Sequence, residues 1–93
     1  MLKTEQGKYY KVKEGQTVLD IAEYFSVAER LLVKENDLKA PPKVGQILRI
    51  PQEMGNAYIV REGDTKELLC GSEENYFRKN GTGVFYIGMR VII

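Results

Sequence analysis

The segment from Tyr10 to Pro51 is written a second time, in shorter form, from Tyr58 to Ile93. Tyr10-Lys11-Val12-Lys13-Glu14-Gly15-Gln16-Thr17 returns as Tyr58-Ile59-Val60-Arg61-Glu62-Gly63-Asp64-Thr65, and Val44-Gly45-Gln46-Ile47-Leu48-Arg49-Ile50 returns loosely as Ile87-Gly88-Met89-Arg90-Val91-Ile92-Ile93. A self-similar period of tens of residues marks one supersecondary unit copied in tandem. The 93 residues are therefore expected to form two small units rather than one domain.

Units of about 40 residues stand near the lower limit of independent stability and must rest on compact packing, including packing on each other. Cys70 is the only cysteine, so an internal disulfide is excluded, and the absence of histidine leaves no usual ligand set for zinc. Neither a metal nor a cofactor is expected. The net charge is +1 and no basic stripe emerges, which ranks nucleic-acid binding low. Residues Met1 to Gly7 hold no apolar run, and no stretch approaches the roughly 20 apolar residues that span a bilayer. As written, the sequence suggests no export signal, no anchor and no membrane partner; a cytoplasmic location, or arrival at a cell wall or spore by another route, is the expectation.

Alternation of Tyr10 and Val12, and of Tyr58 and Val60, with charged neighbours has the period of a half-buried strand. Thr17 with Asp20 reads as a capping box, after which Val18, Ile21, Ala22 and Phe25 fall on one helical face. Ser26 and Glu29 repeat the capping signal, so a second helix is expected to carry Ala28, Leu31 and Leu32 inward and to end near Asn36. Pro41 and Pro42 cannot continue it. Gly45 then turns the chain into a strand with Leu48 and Ile50 on one face. In the second copy, Thr65 or Asp64 caps a helix bearing Leu68, Leu69 and Cys70, Ser72 caps one bearing Tyr76 and Phe77, Asn80-Gly81 is a left-handed stop, and Val91 and Ile93 take the slots of Leu48 and Ile50. The fold class is α+β, strand–helix–helix–strand twice, over residues 8–51 and 57–93 with a short polar linker at 52–56.

These residues resemble the LysM (lysin motif) family. The match is carried by Tyr10-x-Val12-x-x-Gly15-Gln16-Thr17-Val18-x-x-Ile21-Ala22, by Asn36-x-Leu38 and by Val44-Gly45-Gln46-x-Leu48-x-Ile50-Pro51. The second copy keeps the ends, with Gly63-Asp64-Thr65 close to the family's usual Gly-Asp-Thr, but has a shorter middle, Lys66 where the family prefers an apolar residue, and Met89 in place of glutamine. The resemblance implies two helices packed on a two-stranded antiparallel sheet, and a non-catalytic, usually bacterial protein that binds N-acetylglucosamine-containing glycan, in peptidoglycan or chitin.

The resemblance also places the sugar groove between the loop after the first strand and the loop after the second helix. Here that selects Gly15, Gln16, Thr17, Val18, Leu38, Lys39 and Ala40, with Gly63, Asp64, Thr65, Thr82 and Gly83 as a second candidate glycan site. A glycine admits close backbone approach, loop amides and carbonyls pair with acetamido and hydroxyl groups, and Leu38 and Ala40 can cover an acetyl methyl. For Gly15, Thr17, Asn36 and Gly45 a purely structural role ranks first, as turn formers and caps. Gln16, Leu38 and Lys39 rank first as contacts, because nothing in the expected fold requires them at loop tips.

Three other features weigh against different functions or for a different partner. Cys70 aligns with Ala22 and reads as a small buried apolar group, and no histidine is present to activate it as a nucleophile. Glu73 and Glu74 complement a helix dipole rather than face each other across a cleft as a glycosidase pair would. Of the neighbours Tyr9 and Tyr10 one must be exposed, and Val84-Phe85-Tyr86-Ile87 is expected to pack the two units together. The competing class is a protein–protein assembly module, since members of the resembled family also occur in spore-coat and phage-tail proteins.

Overall fold

A computed structural model describes residues 8–52 and 55–93, so the expectations for the first seven residues and the centre of the linker lie outside the described residues. The elements run β1 (Lys8–Lys11), α1 (Val18–Phe25), α2 (Glu29–Glu35), β2 (Ile47–Ile50), β3 (Ala57–Ile59), α3 (Lys66–Cys70), α4 (Glu73–Asn80) and β4 (Arg90–Ile92). They make two small antiparallel sheets, β1 with β2 and β3 with β4. Tyr10 lies opposite Leu48 in the first, and Tyr58 opposite Val91 in the second. This is the mixed helix-and-sheet architecture that the sequence pattern implies. No helix among the described residues is long and apolar enough to cross a membrane.

Helices of five to eight residues are too short to hold in water by propensity, so packing and caps must stabilise them. In α1 the capping box forms as expected, with the Asp20 N–H donating to Thr17 Oγ1 at 3.0 Å and the Thr17 N–H donating to Asp20 Oδ2 at 3.0 Å. Ile21 and Ala22 then point into a core completed by Val12, Val27, Leu32, Leu48 and Ile50, with Phe25 packed at its edge and only half-buried. The expected Ser26 cap is not made. Ser26 sits in the left-handed region at φ 57° and closes α1, with its N–H turned back to the Ala22 and Glu23 carbonyls, while α2 starts at Ala28 without a side-chain cap. The chain reverses too tightly for Ser26 to serve the next helix.

Leu32 takes the first core, but Ala28 and Leu31, expected to face it as well, are buried with Ile92 between the two halves of the chain. Neighbouring helical residues point about 100° apart, so a helix touching two partners must divide its apolar side chains between them. Gly81 makes the close approach possible. It ends α4 at φ 69°, in the left-handed region, and a Cβ there would stand 2.7 Å from Leu31 Cα. Around this contact Arg90 Nη1 donates to the Val27 carbonyl at 3.1 Å, the Gly55 N–H donates to the Ser26 carbonyl at 3.2 Å, and Lys34 Nζ lies 4.6 Å from the Phe77 ring centre.

The second core is smaller, made of Val60, Tyr76 and Val91 with Leu69, Cys70, Phe85, Met89 and Ile93 packed around it. Thr65 and Ser72 cap α3 and α4 as expected. Leu68 and Phe77 are exposed rather than inward, and Cys70 is half-buried where its counterpart Ala22 is fully buried. A five-residue helix has room for few inward positions, and Leu69 and Cys70 take them. The aromatic run also divides: Phe85 packs edge-on against Tyr76 at 5.3 Å, Tyr86 borders the space between the halves, and Val84 and Ile87 stay exposed.

Candidate functional site

The turn after β1 is fixed from within. The Gln16 side-chain carbonyl accepts from the Lys13 N–H at 2.8 Å and from the Tyr10 hydroxyl at 2.9 Å, so Gln16 is a structural member of the turn as well as a loop-tip residue. This corrects the expectation that the fold makes no demand on it. A backbone N–H can only donate, which fixes the orientation of the amide and leaves Gln16 Nε2 as a donor with no partner among the described residues. The opposite loop is held by Asn36, whose Nδ2 donates to the carbonyls of Leu32 and Arg49 at 2.9 and 2.8 Å while the Arg49 N–H donates to its Oδ1 at 2.7 Å. Asn36 thus ties the end of α2 to β2 and sets where the following residues lie. Asp37, in the left-handed region at φ 51°, turns the chain outward, and the Leu38 N–H reaches back to the Val33 carbonyl at 3.0 Å.

Between the two loops lies an open groove of about 350 Å³ lined by Gln16, Thr17, Val18, Val33, Leu38, Ala40, Pro41 and Pro42. Five of the seven residues expected at the first site are therefore brought together. Gly15 is not among the lining residues; its φ of 81° places it in the turn behind them. Lys39 points elsewhere, ion-paired to Asp37 at 3.0 Å in full solvent exposure and bordering a second concavity with Lys43 and Gln46. Val33, Pro41 and Pro42 line the groove without having been expected there. The proline pair did carry a signal, because two residues with no amide donor following Ala40 make an apolar, rigid rim.

The chemistry of the groove follows from its lining. Val18, Val33, Leu38 and the prolines form an apolar floor that rewards burial of a methyl group, while Gln16 Nε2 and the loop backbone supply polar partners at the rim. Thr17 Oγ1 already accepts from Asp20, so it contributes its body more than a free hydroxyl acceptor.

The same hydrogen bonds recur in the second half. Tyr58 donates to Asp64 Oδ2 at 2.7 Å and the Arg61 N–H donates to the same oxygen at 2.8 Å. Those donors, the Arg61 N–H first and the Tyr58 hydroxyl second, hold the Asp64 carboxyl below its usual range, and its acceptance of the Tyr58 proton raises the phenol. Asn80 repeats Asn36, bonded to the Tyr76 and Ile92 carbonyls and to the Ile92 N–H. Of the second set of expected site residues, Thr65 caps α3, Thr82 Oγ1 accepts from the Val84 N–H at 3.1 Å, and Gly63 occupies the turn at φ 93°. Between Asp64-Thr65 and Thr82-Gly83 runs the Lys66 side chain, its Nζ 5.6 Å from the Tyr76 ring centre and 3.9 Å from where a Cβ on Gly83 would stand.

Residues 10–51 match the LysM domain family. None of the curated proteins compared matches the chain. Among solved structures, the chain is similar to the spore cortex-lytic enzyme SleL of Bacillus megaterium QM B1551, with 26% identity and a TM-score of 0.46 over 94% of this chain and 22% of that one. It is also similar to the SleL of Bacillus cereus, with 21% identity and a TM-score of 0.46 over 92% of this chain and 22% of that one. The chain thus spans only about a fifth of the length of either protein. Residues 10–51, which match the LysM domain family, carry both walls of the groove.

Proposed function

We propose that this protein is a non-catalytic module that holds N-acetylglucosamine-containing glycan, peptidoglycan first and chitin second, in the groove between residues 16–18 and 38–42. LysM membership of residues 10–51 implies that class of ligand, and the observation that carries the reading to particular residues is the groove itself. Its apolar floor suits an acetyl methyl, and Gln16 Nε2 stands at its rim as a free donor for a carbonyl or hydroxyl oxygen. The recurrence of the Tyr10–Gln16 and Asn36–Arg49 hydrogen bonds as Tyr58–Asp64 and Asn80–Ile92 supports a second, divergent LysM-like unit over residues 57–93, after one at 8–51 and a linker at 52–56.

An amide NMR titration with N-acetylglucosamine oligomers tests the reading. One shallow groove offers few contacts, so short oligomers should bind in the range of about 1 mM to 1 μM, longer ones more tightly, with the largest shifts at 16–18 and 38–42. A second reading, an assembly module, draws on the aromatic cluster of Tyr10, Tyr24 and Phe25, where Tyr24 is 77% exposed. Failure of both soluble oligomers and insoluble peptidoglycan or chitin to bind would replace the glycan reading with that one.

A further inference from the structure

The two halves present equivalent loops with different contents. In the first, Val18 stands three residues after the turn glycine Gly15, is half-buried, and forms part of the groove floor. In the second, Lys66 stands three residues after Gly63 and carries an ammonium group to the corresponding place, against the Tyr76 ring and beside Gly83. Tyr76 is fully buried, and its hydroxyl donates to the Val84 carbonyl at 2.5 Å, so the ring lies directly beneath the loop that would form the far wall. Lys66 forms no ion pair among the described residues, which leaves the ring face as its main local partner.

We infer that Lys66 plugs the second half's counterpart of the groove and so fixes the chain at one glycan site, with the second half acting as a support for the first. The inference rests on the groove of residues 16–18 and 38–42 being a glycan site. An acetyl group entering between Thr65 and Gly83 would have to displace the ammonium from the ring or bury its methyl against a charge. Burial of an apolar group there removes water from the cation without replacing it, which opposes binding. A valine at the same position would offer the methyl an apolar wall instead. Lys34 Nζ lies over the Phe77 ring on α4 from the other half. Phe77 occupies the place that Val33 holds in the first half, three residues before the bridging asparagine.

The decisive comparison uses the full chain and the N-acetylglucosamine tetramer, with amide shifts to locate binding and calorimetry to count sites. The unaltered protein should bind one equivalent, with shifts confined to 16–18 and 38–42. Lys66→Val should bind two, with new shifts at 63–66 and 82–84. The reciprocal Val18→Lys should lose the first-half shifts and weaken binding by about tenfold or more. Shifts in the second half of the unaltered protein, or a folded Lys66→Val that gains none, would overturn the plug. Should Lys66→Val fail to fold, Val18→Lys decides, and affinity within twofold of the unaltered protein overturns the inference. Binding by Lys66→Val at 63–66 alone, with none in the unaltered protein, would keep the plug and remove the first groove; no binding by either removes both.

Discussion

Asn80 and Ile92 exchange two hydrogen bonds, the Ile92 N–H donating to Asn80 Oδ1 at 2.8 Å and Asn80 Nδ2 donating to the Ile92 carbonyl at 3.1 Å. Asn80 is only 1% exposed and Ile92 is fully buried, so no water can replace the amide. The equivalent pair in the first half, Asn36 and Arg49, makes the same exchange nearer to solvent.

Asn80→Ala should therefore cost more than Asn36→Ala. Each buried group left unpaired costs about 1–3 kcal/mol, which gives roughly 2–4 kcal/mol for Asn80→Ala and about 1–2 kcal/mol for Asn36→Ala. Chemical denaturation of the two variants checks this. Equal losses would mean that the burial difference carries no weight.

The sequence made both asparagines visible as helix ends but not as bridges to a strand, because a side-chain bond to a residue 12 or 13 positions away leaves no local periodicity. Capping was legible where Thr17, Thr65 and Ser72 met free helical amides, and failed at Ser26, where chain reversal claimed the residue first. Core positions followed helical spacing except at Ala28 and Leu31, which serve a contact that no single unit's pattern contains, at Phe25, which is only half-buried, and at Leu68 and Phe77, which stay exposed on the short helices of the second half. The groove was legible through loop residues, apart from Gly15, which lies in the turn behind it, and Lys39, whose nearest acid is two residues back and draws it away from the floor. Val33 escaped notice because one valine on a helix has no signature of its own.

Gly81→Ala should separate the halves. At φ 69° a side chain strains the backbone by about 1–2 kcal/mol, and contact with Leu31 adds a further overpacking cost of about 1–3 kcal/mol. Gly83→Ala is the control: its Cβ would meet nothing nearer than Lys66 Nζ at 3.9 Å, and its effect should stay within about 0.5 kcal/mol. Melting temperatures of the two variants separate the outcomes.

Stability should fall at high pH. Burial pushes the Tyr76 phenol up to about 12 from an ordinary value of 10, and burial also raises the Cys70 thiol above its ordinary 9. Groups that hold their protons more tightly when folded give stability that is complete below the unfolded pKa and is lost as pH rises through the folded one. The decline should begin near pH 9, steepen between about 10 and 12, and take roughly 2–3 kcal/mol for Tyr76. Asp64 works at the other end: its lowered carboxyl contributes above the ordinary carboxylate range and loses that contribution as acid protonates the folded form. Denaturation midpoints across pH test both limbs, and Asp64→Asn should flatten the acid limb.

Cys70 should label slowly in the folded protein. Its Sγ is half-buried, lies 3.7 Å from the Ile92 carbonyl, and its thiolate is disfavoured by burial. A thiol reagent near neutral pH should react at least about tenfold faster after denaturation. Equal rates in both states would contradict the packing around α3.

Glycan binding should respond to bulk at Ala40 and hardly at all to Lys39. Ala40 is exposed and lines the groove, so Ala40→Trp fills the space without disturbing the core and should weaken N-acetylglucosamine oligomer binding by about tenfold or more, or about 1.4 kcal/mol. Lys39→Ala removes a solvent-exposed ion pair worth at most about 1 kcal/mol and leaves the groove lining intact, so affinity should stay within about twofold. Gln16→Ala loses the free Nε2 donor and the bond that closes the turn, and should lower affinity about five- to tenfold with a stability loss of roughly 1–2 kcal/mol. Val84→Trp, on the corresponding loop of the second half, should leave oligomer affinity unchanged, because Lys66 already occupies the space beside that loop. The reverse order, with Val84→Trp damaging and Ala40→Trp harmless, would move the site to the second half and end the assignment of residues 16–18 and 38–42.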